Sequence, residues 1–202
     1  SHRIKNNSAK FLQAIEQVKN ILSQQKVEDP NALSDLVTYF SDTWLLLDAY
    51  DREQLLAHGL TKKKSVLTAQ KLNKALHQFR QSLIASNQAS ELFCLEKDKN
   101  SIEGIVGNVM QSFSGQDVYR TIEEKAAHLL YFIVKNHPFI DGNKRAGAYA
   151  FIWFLHEAKI LDQSQITPSM LTPITLLIAE SNPKNKEKMI GLVCALLTKN
   201  GV

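Results

Sequence analysis

One helix in this chain has almost no polar face. Thr121-Ile-Glu-Glu124 carries capping-box spacing, in which a threonine hydroxyl and a glutamate three residues on satisfy each other's backbone amides. The helix it opens presents Ala126, Ala127, Leu129, Leu130, Phe132, Ile133 and Val134, which leaves little room for water on any side. Such a helix must be central, with other elements packed around it. Pro138 ends it, since proline lacks an amide proton and restricts the residue before it. A second apolar helical run extends from residue 143 to about residue 157. The stretch His137-Pro-Phe139-Ile-Asp141-Gly142-Asn143-Lys144-Arg145 is therefore a short loop that feeds a helix N-terminus, and helix N-termini bind anions.

The residue types in that loop suggest a nucleotide phosphate. His137 stands at a helix end facing outward, and an imidazole, with its ordinary pKa of about 6.5, suits a general base that takes a proton from a hydroxyl nucleophile. Gly142 permits a positive φ, so the amides of Gly142, Asn143 and Lys144 can converge into a concave anion nest. Asp141 at its mouth would repel bare phosphate but suits a hard cation that bridges phosphate oxygens, as magnesium does. Lys144 and Arg145 add a point charge and a bidentate fork, two complementary ways of neutralising a phosphoryl group. Phe139 is expected to anchor the loop from beneath.

A lone His-Pro is usually a helix stop and a lone Asp-Gly-Asn a turn; it is their conjunction with two cations that carries weight. The stretch resembles the signature of the Fic/Doc family, His-x-Phe-x-Asp/Glu-Gly/Ala-Asn-Gly/Lys-Arg. The close resemblance covers about residues 112–159, and the runs on either side of the motif also look like bacterial members, including those labelled virulence protein RhuM/Fic/DOC. It implies an all-α, Fic/Doc-type helical bundle that transfers a phosphate-containing group from ATP, with Mg2+, to a Ser, Thr or Tyr hydroxyl of a target protein. Carried over by residue, His137 is the base, Asp141 the magnesium ligand, Gly142 and Asn143 the nest, and Lys144 and Arg145 the phosphate contacts. The resemblance also makes residues 112–119 the candidate for a short β-hairpin flap that aligns the target polypeptide, with an ordinary connecting loop as the alternative.

Two departures bear on the reaction. AMP-transferring members read Gly-Asn-Gly-Arg-x-x-Arg, whereas this chain has Lys144 for the third small residue and Ala148 for the second arginine, which those members use on the terminal phosphates of ATP. Both departures resemble the Doc branch, whose members transfer the terminal phosphate. AMP transfer is the lead reading by family weight. Doc-like kinase activity is the alternative, because positioning selects which phosphorus faces the nucleophile. A catalytically silent nucleotide-sensing or toxin–antitoxin module is the third reading, and the presence of both His137 and Asp141 argues against it. An antitoxin or inhibitory partner is compatible with the resemblance. The family's inhibitory Ser/Thr-x-x-x-Glu-Gly/Asn element is not reproduced, since Lys99 stands four residues before Glu103. Glu103 is read as a solvated residue near a helix start.

Length and composition agree with this without producing it. The 202 residues, 44% hydrophobic, suffice for one substantial core. The expected division is a helical extension over 1–90 and the Fic/Doc-like domain over 91–202. Net charge is +4 and the pI near 9.0, which a nucleotide or an acidic protein explains as well as nucleic acid does. Lys62-Lys63-Lys64 lacks interleaved aromatics and reads as a solvated turn, so nucleic acid is not an expected partner. Cys94 and Cys194 read as buried free thiols. With no signal-peptide pattern and no apolar run of about 20 residues, the expectation is a cytoplasmic chain without a membrane span, in a host cell if the protein is secreted as an effector. Because it begins at Ser1-His2, the chain is also expected to be a piece of a longer one.

Helices are predicted nearly throughout. Phe11, Leu12, Ile15, Val18, Ile21 and Leu22 repeat at helical spacing, Asp29-Pro30 opens a helix that carries Trp44 inward, and Thr68 caps a third with Leu72, Ala75, Leu76, Phe79 and Leu83 as its stripe. Ile105, Val106, Val109, Met110 and Phe113 suit a short helix, followed by a turn at Ser114-Gly115-Gln116. His128 is read as structural and Trp153 as core. Two further helices are expected over 168–180 and 184–199, able to cover the core or to pair with a second copy. No zinc spacing, nucleophile elbow or P-loop occurs, so nucleotide binding rests on the 141–145 nest alone.

Overall fold

Thr121 forms both halves of its capping box in the computed structural model: its side chain accepts from the Glu124 amide, and the Glu124 carboxylate accepts from the Thr121 amide at 2.9 Å. The structure describes residues 59–62, 67–164 and 166–198, all within the unit Leu55–Val202. The helices expected in the first fifty residues, Trp44 included, lie outside the described residues. Among those described, the chain is all-α apart from one small hairpin: α1 (Ala69–Ala85), α2 (Ser101–Val109), β1 (Ser112–Phe113), β2 (Gln116–Asp117), α3 (Ile122–Asn136), α4 (Asn143–Glu157), α5 (Pro168–Glu180) and α6 (Lys186–Thr198), with a 3-10 turn over Pro183–Asn185.

Helix α3 is the axis of the bundle. It packs against α2, α4, α5 and α6, while α1 lies across α2 and α4. Ile122, Ala126, Ala127, Leu129, Leu130, Ile133 and Val134 are fully buried. The polar side chains of so enclosed a helix need partners, because an unsatisfied buried charge is strongly unfavourable. Glu123, Lys125 and Lys135 each find one on a different neighbour, while His128 is bonded within its own helix and stacked on an aromatic ring. Glu123 accepts from the amide and hydroxyl of Thr61, the latter at 2.7 Å. Lys125 donates to Asp117 of β2 at 2.6 Å. The His128 ring stacks on Tyr119 with centroids 3.6 Å apart, its Nδ1 2.8 Å from the Glu124 carbonyl. Lys135 donates to the carbonyls of Ala179 and Ser181, satisfying the end of α5.

Two glycines on neighbouring helices show where packing is close. A Cβ on Gly147 of α4 would stand 2.8 Å from Val134 Cγ2, so the α3–α4 crossing depends on the missing side chain. Gly107 of α2 meets nothing within 4 Å. The hairpin turn at Ser114 and Gly115 has φ of 49° and 78°, the paired left-handed geometry that suits a two-residue connection, with Ser112 opposite Asp117 and Phe113 opposite Gln116. Thr68 caps α1 by accepting from Lys71 at 3.2 Å. Leu72, Ala75 and Leu76 are buried, whereas Phe79 and Leu83 are half-buried.

Trp153, expected in the core, is only half-buried on α4, and Cys94 is half-buried while Cys194 is enclosed. Burial pushes both thiols up to about 12, so both stay protonated at neutral pH. Residues 183–185 form the 3-10 turn, and α6 begins two residues later than expected because Asn182 caps that turn instead. Among the described residues no helix is long and apolar enough to cross a membrane.

Gly107→Ala is expected to stabilise the fold by about 0.5–1 kcal/mol through helix propensity alone. Gly147→Ala should destabilise it by up to ~2 kcal/mol, because overpacking outweighs the same propensity gain. Urea midpoints of the two variants check this; a stabilised Gly147→Ala would show that the crossing tolerates a methyl group.

Burial lowers the His128 pKa from its ordinary 6.5 to about 4. The unfolded chain then binds a proton that the folded chain refuses, so stability present above pH 6.5 is lost as pH falls toward 4. Denaturant titrations across that window should show a shallower decline for His128→Phe than for the parent. Parallel curves would mean that His128 is accessible to protons.

Candidate active site

The loop between α3 and α4 is held in an unusual backbone. His137, the C-cap of α3, has φ 50° and ψ 54°, a left-handed conformation common at helix C-termini but costly for a side-chain-bearing residue. Its ring is exposed and makes no hydrogen bond among the described residues. Phe139 is buried beneath, as expected of an anchor, and Ile140 points out. The Asn143 side chain closes the loop on itself: Oδ1 accepts from the Phe139 amide at 2.9 Å and Nδ2 donates to the Phe139 carbonyl at 2.8 Å.

Gly142 is required twice over. Its φ is 84°, and a Cβ there would lie 2.2 Å from Phe93 Cε2. A left-handed residue followed directly by a helical one turns successive amides to one side. Ala146 supplies the first helical hydrogen bond, to the Gly142 carbonyl at 2.8 Å, which leaves the amides of residues 143–145 without helical acceptors.

The support for this loop comes from a segment some fifty residues upstream. Cys94 donates its amide to Asp141, Ile140 to Leu95 and Lys97 to Pro138, at 2.8–3.1 Å, so residues 93–97 run beside residues 138–141 as a short ladder. Arg80 of α1 holds that segment in turn, through the carbonyls of Phe93 (2.9 Å) and Glu91 (2.6 Å) and the Glu91 carboxylate. Phe93 is fully buried, edge-on to Phe79 and under Gly142. None of these supports is apparent from the motif itself.

His137, Asp141, Gly142, Asn143, Lys144 and Arg145 thus meet at one end of α4. Asp141 is half-exposed, with Arg145 3.7 Å away. Arg145 is already engaged: its guanidinium lies 4.3 Å over the Phe93 ring and donates to the Gln88 carbonyl at 3.0 Å. Lys144 is exposed and pairs with no carboxylate among the described residues. Lys144, Arg145 and Ala148 open onto a mostly apolar cleft of about 630 Å³ between α4 and α5, lined further along α4 by Ile152 and across it by Leu171 and Leu176. Among the described residues no three His, Cys, Asp or Glu side chains cluster as metal ligands. Asp141 presents a half-exposed carboxylate beside the Gly142 turn, the oxygen-donor type that magnesium takes. Glu103 is exposed in the first turn of α2, where Asn73 donates to it at 3.3 Å.

The described residues define an all-α bundle whose loop brings a histidine, a carboxylate and two cations to a helix N-terminus. The chain belongs to the Fic/DOC family, whose model it matches over residues 45–155, more than half its length. It is 38% identical over 61 residues to a protein named Toxin Doc from Mycolicibacterium smegmatis (strain ATCC 700084 / mc(2)155), a match covering 30% of this chain and 46% of that one. The chain thus spans about half the length of the curated relative it matches. No solved structure is a significant match.

His137→Gly should raise stability by about 1 kcal/mol, because glycine adopts the left-handed C-cap without strain. Urea unfolding measures it. An unchanged or lower midpoint would show that the ladder carries no strain at this residue.

Proposed function

We propose that the chain transfers the terminal phosphate of Mg-ATP to a hydroxyl of a target protein. The observation that carries this reading is the meeting of His137, Asp141 and the open first turn of α4 around Gly142, with Ala148 and an apolar cleft just beyond. One phosphate fits the nest of residues 142–144, where backbone amides and the Lys144 ammonium stabilise charge as it develops. His137 takes the proton from the attacking hydroxyl, and its outward position leaves room for a substrate chain. Asp141 would hold magnesium, which when bound neutralises phosphate charge.

AMP transfer, the lead by family weight, asks more of the site. Attack at the α-phosphorus makes pyrophosphate the leaving group, whose charge needs its own cation. On the side where AMP-transferring relatives carry an arginine, this chain has Ala148, and Arg145 is tethered to Gln88 and Phe93. Attack at the γ-phosphorus forms the bond to the target hydroxyl and breaks the bond to ADP, which leaves with the charge that a magnesium held by Asp141 would offset, while the nest and Lys144 serve the one phosphate transferred. An inhibitory protein partner belongs to the same proposal, given a relative named as a toxin.

The test is a pair of labelling reactions with the parent chain and His137→Ala, magnesium, bacterial lysate and ATP labelled at the α- or the γ-phosphate. Label from γ alone, lost in His137→Ala, is expected. Histidine-dependent α-label would establish AMP transfer instead, and equal labelling by both chains would remove His137 from the chemistry.

A further inference from the structure

Lys125 has one of the largest fully buried side chains in the described core, only 2% exposed, yet it carries an ammonium. It sits in the first turn of α3 and reaches out of its own helix to Asp117 of β2, 2.6 Å away. Asp117 is itself 46% exposed, so the pair joins a buried cation to an accessible carboxylate. A second contact lies one turn further along α3, where Tyr119 stacks on the buried ring of His128. Among the described residues His128 Nε2 has no hydrogen-bond partner, so the ring is held by burial, stacking and the contact of Nδ1 with the Glu124 carbonyl. Lys186 of α6 lies 5.9 Å over the Tyr119 ring and 4.9 Å over Phe132. The amide of Val118 closes the base of the hairpin on Gln111 at 3.0 Å.

These anchors all fall on the β2 side of the hairpin. Among the described residues the β1 strand has no side-chain anchor: Ser112 and Phe113 are exposed, Phe113 at 80%. The same helix that grips the hairpin at residues 125 and 128 ends at His137. The ion pair and the candidate base are therefore fixed to one rigid rod, roughly 18 Å apart along it at 1.5 Å per residue.

We propose that Lys125 and Asp117 are positioning residues for the protein substrate: by locking the hairpin to α3, they set the distance and angle between a target strand laid on it and His137. The proposal rests on the transferase reading above. A short hairpin without a core is marginal in water, so its orientation comes from what anchors it. A protein strand added to such a hairpin binds through main-chain hydrogen bonds, which carry the hairpin's tilt directly to the bound chain. Neither residue needs to touch ATP or the reacting atoms.

Lys125→Met is the informative variant. It leaves no unpaired buried charge, because Asp117 is already half in water, and buried ion pairs are often replaced by apolar side chains without loss of stability. The experiment uses the full chain and compares the parent, Lys125→Met and the conservative Asp117→Glu. Hydrogen exchange at residues 112–118 is expected to quicken at least tenfold in Lys125→Met while its urea midpoint holds. Transfer from γ-labelled Mg-ATP to lysate protein should fall about tenfold at low lysate concentration and recover as the concentration rises, with Mg-ATP affinity within twofold of the parent. Asp117→Glu should keep most of both. Unchanged exchange in Lys125→Met overturns the proposal even if the parent transfers no label, so its failure is separate from that of the transferase reading. A fall in Mg-ATP affinity parallel to the fall in transfer would also overturn it, by assigning the pair a merely structural role.

Discussion

Enclosing α3 on every side is the constraint from which the rest of the structure follows. A helix buried all round stabilises a small bundle through apolar contact, at roughly 25 cal/mol for each Å2 removed from water. It also obliges every polar side chain on it to find a partner inside the protein. Here that obligation is met by loops and not by neighbouring helix faces. Thr61, the β1–β2 hairpin and the end of α5 each dock on one such side chain, through Glu123, Lys125 and Lys135 respectively. The charged residues that seem out of place on α3 are thus the points at which irregular segments are tied to the core.

The site follows the same logic at the helix's other end. The loop 137–142 has too few residues for a core of its own, and borrows one from upstream. Phe93 fills the space below Gly142, and the backbone of residues 93–97 satisfies that of residues 138–141. Arg80 fastens the upstream segment to α1. Arg145 extends the scaffold to Gln88. The outcome is a left-handed histidine and a left-handed glycine in one short loop, held by contacts that neither residue makes through its own side chain.

What the sequence made legible was local. The capping box at Thr121, the cap at Thr68, the stop at Pro138, the positive φ at Gly142 and the turn at Ser114-Gly115 each depend on residues within four positions of one another, and each is present. The central place of α3 was legible too, because its composition excludes water from every side. The supports of the loop were not. Phe93 and Gly142 are 49 residues apart, Arg80 holds a segment that has no periodic pattern, and nothing near Arg145 announces Gln88. Lys125 and Glu123 carry charges that any composition-based reading sends to the surface, and only partners far along the chain explain their burial. Trp153 erred the other way: apolar character places it on α4 but does not say that the helix leaves that face half open.

The ladder between residues 93–97 and residues 138–141 has a consequence for how the protein comes into being. Closing a loop of this length carries an entropic cost that no local contact offsets, so long-range pairing forms late in folding. On a ribosome the order is set by the direction of synthesis: α1 and the receiving edge emerge before the residues that dock on them. A half-made chain therefore holds the foundation of the 137–142 loop without the loop itself. The topology itself thus delays completion of the 137–142 loop until long after its foundation has been made.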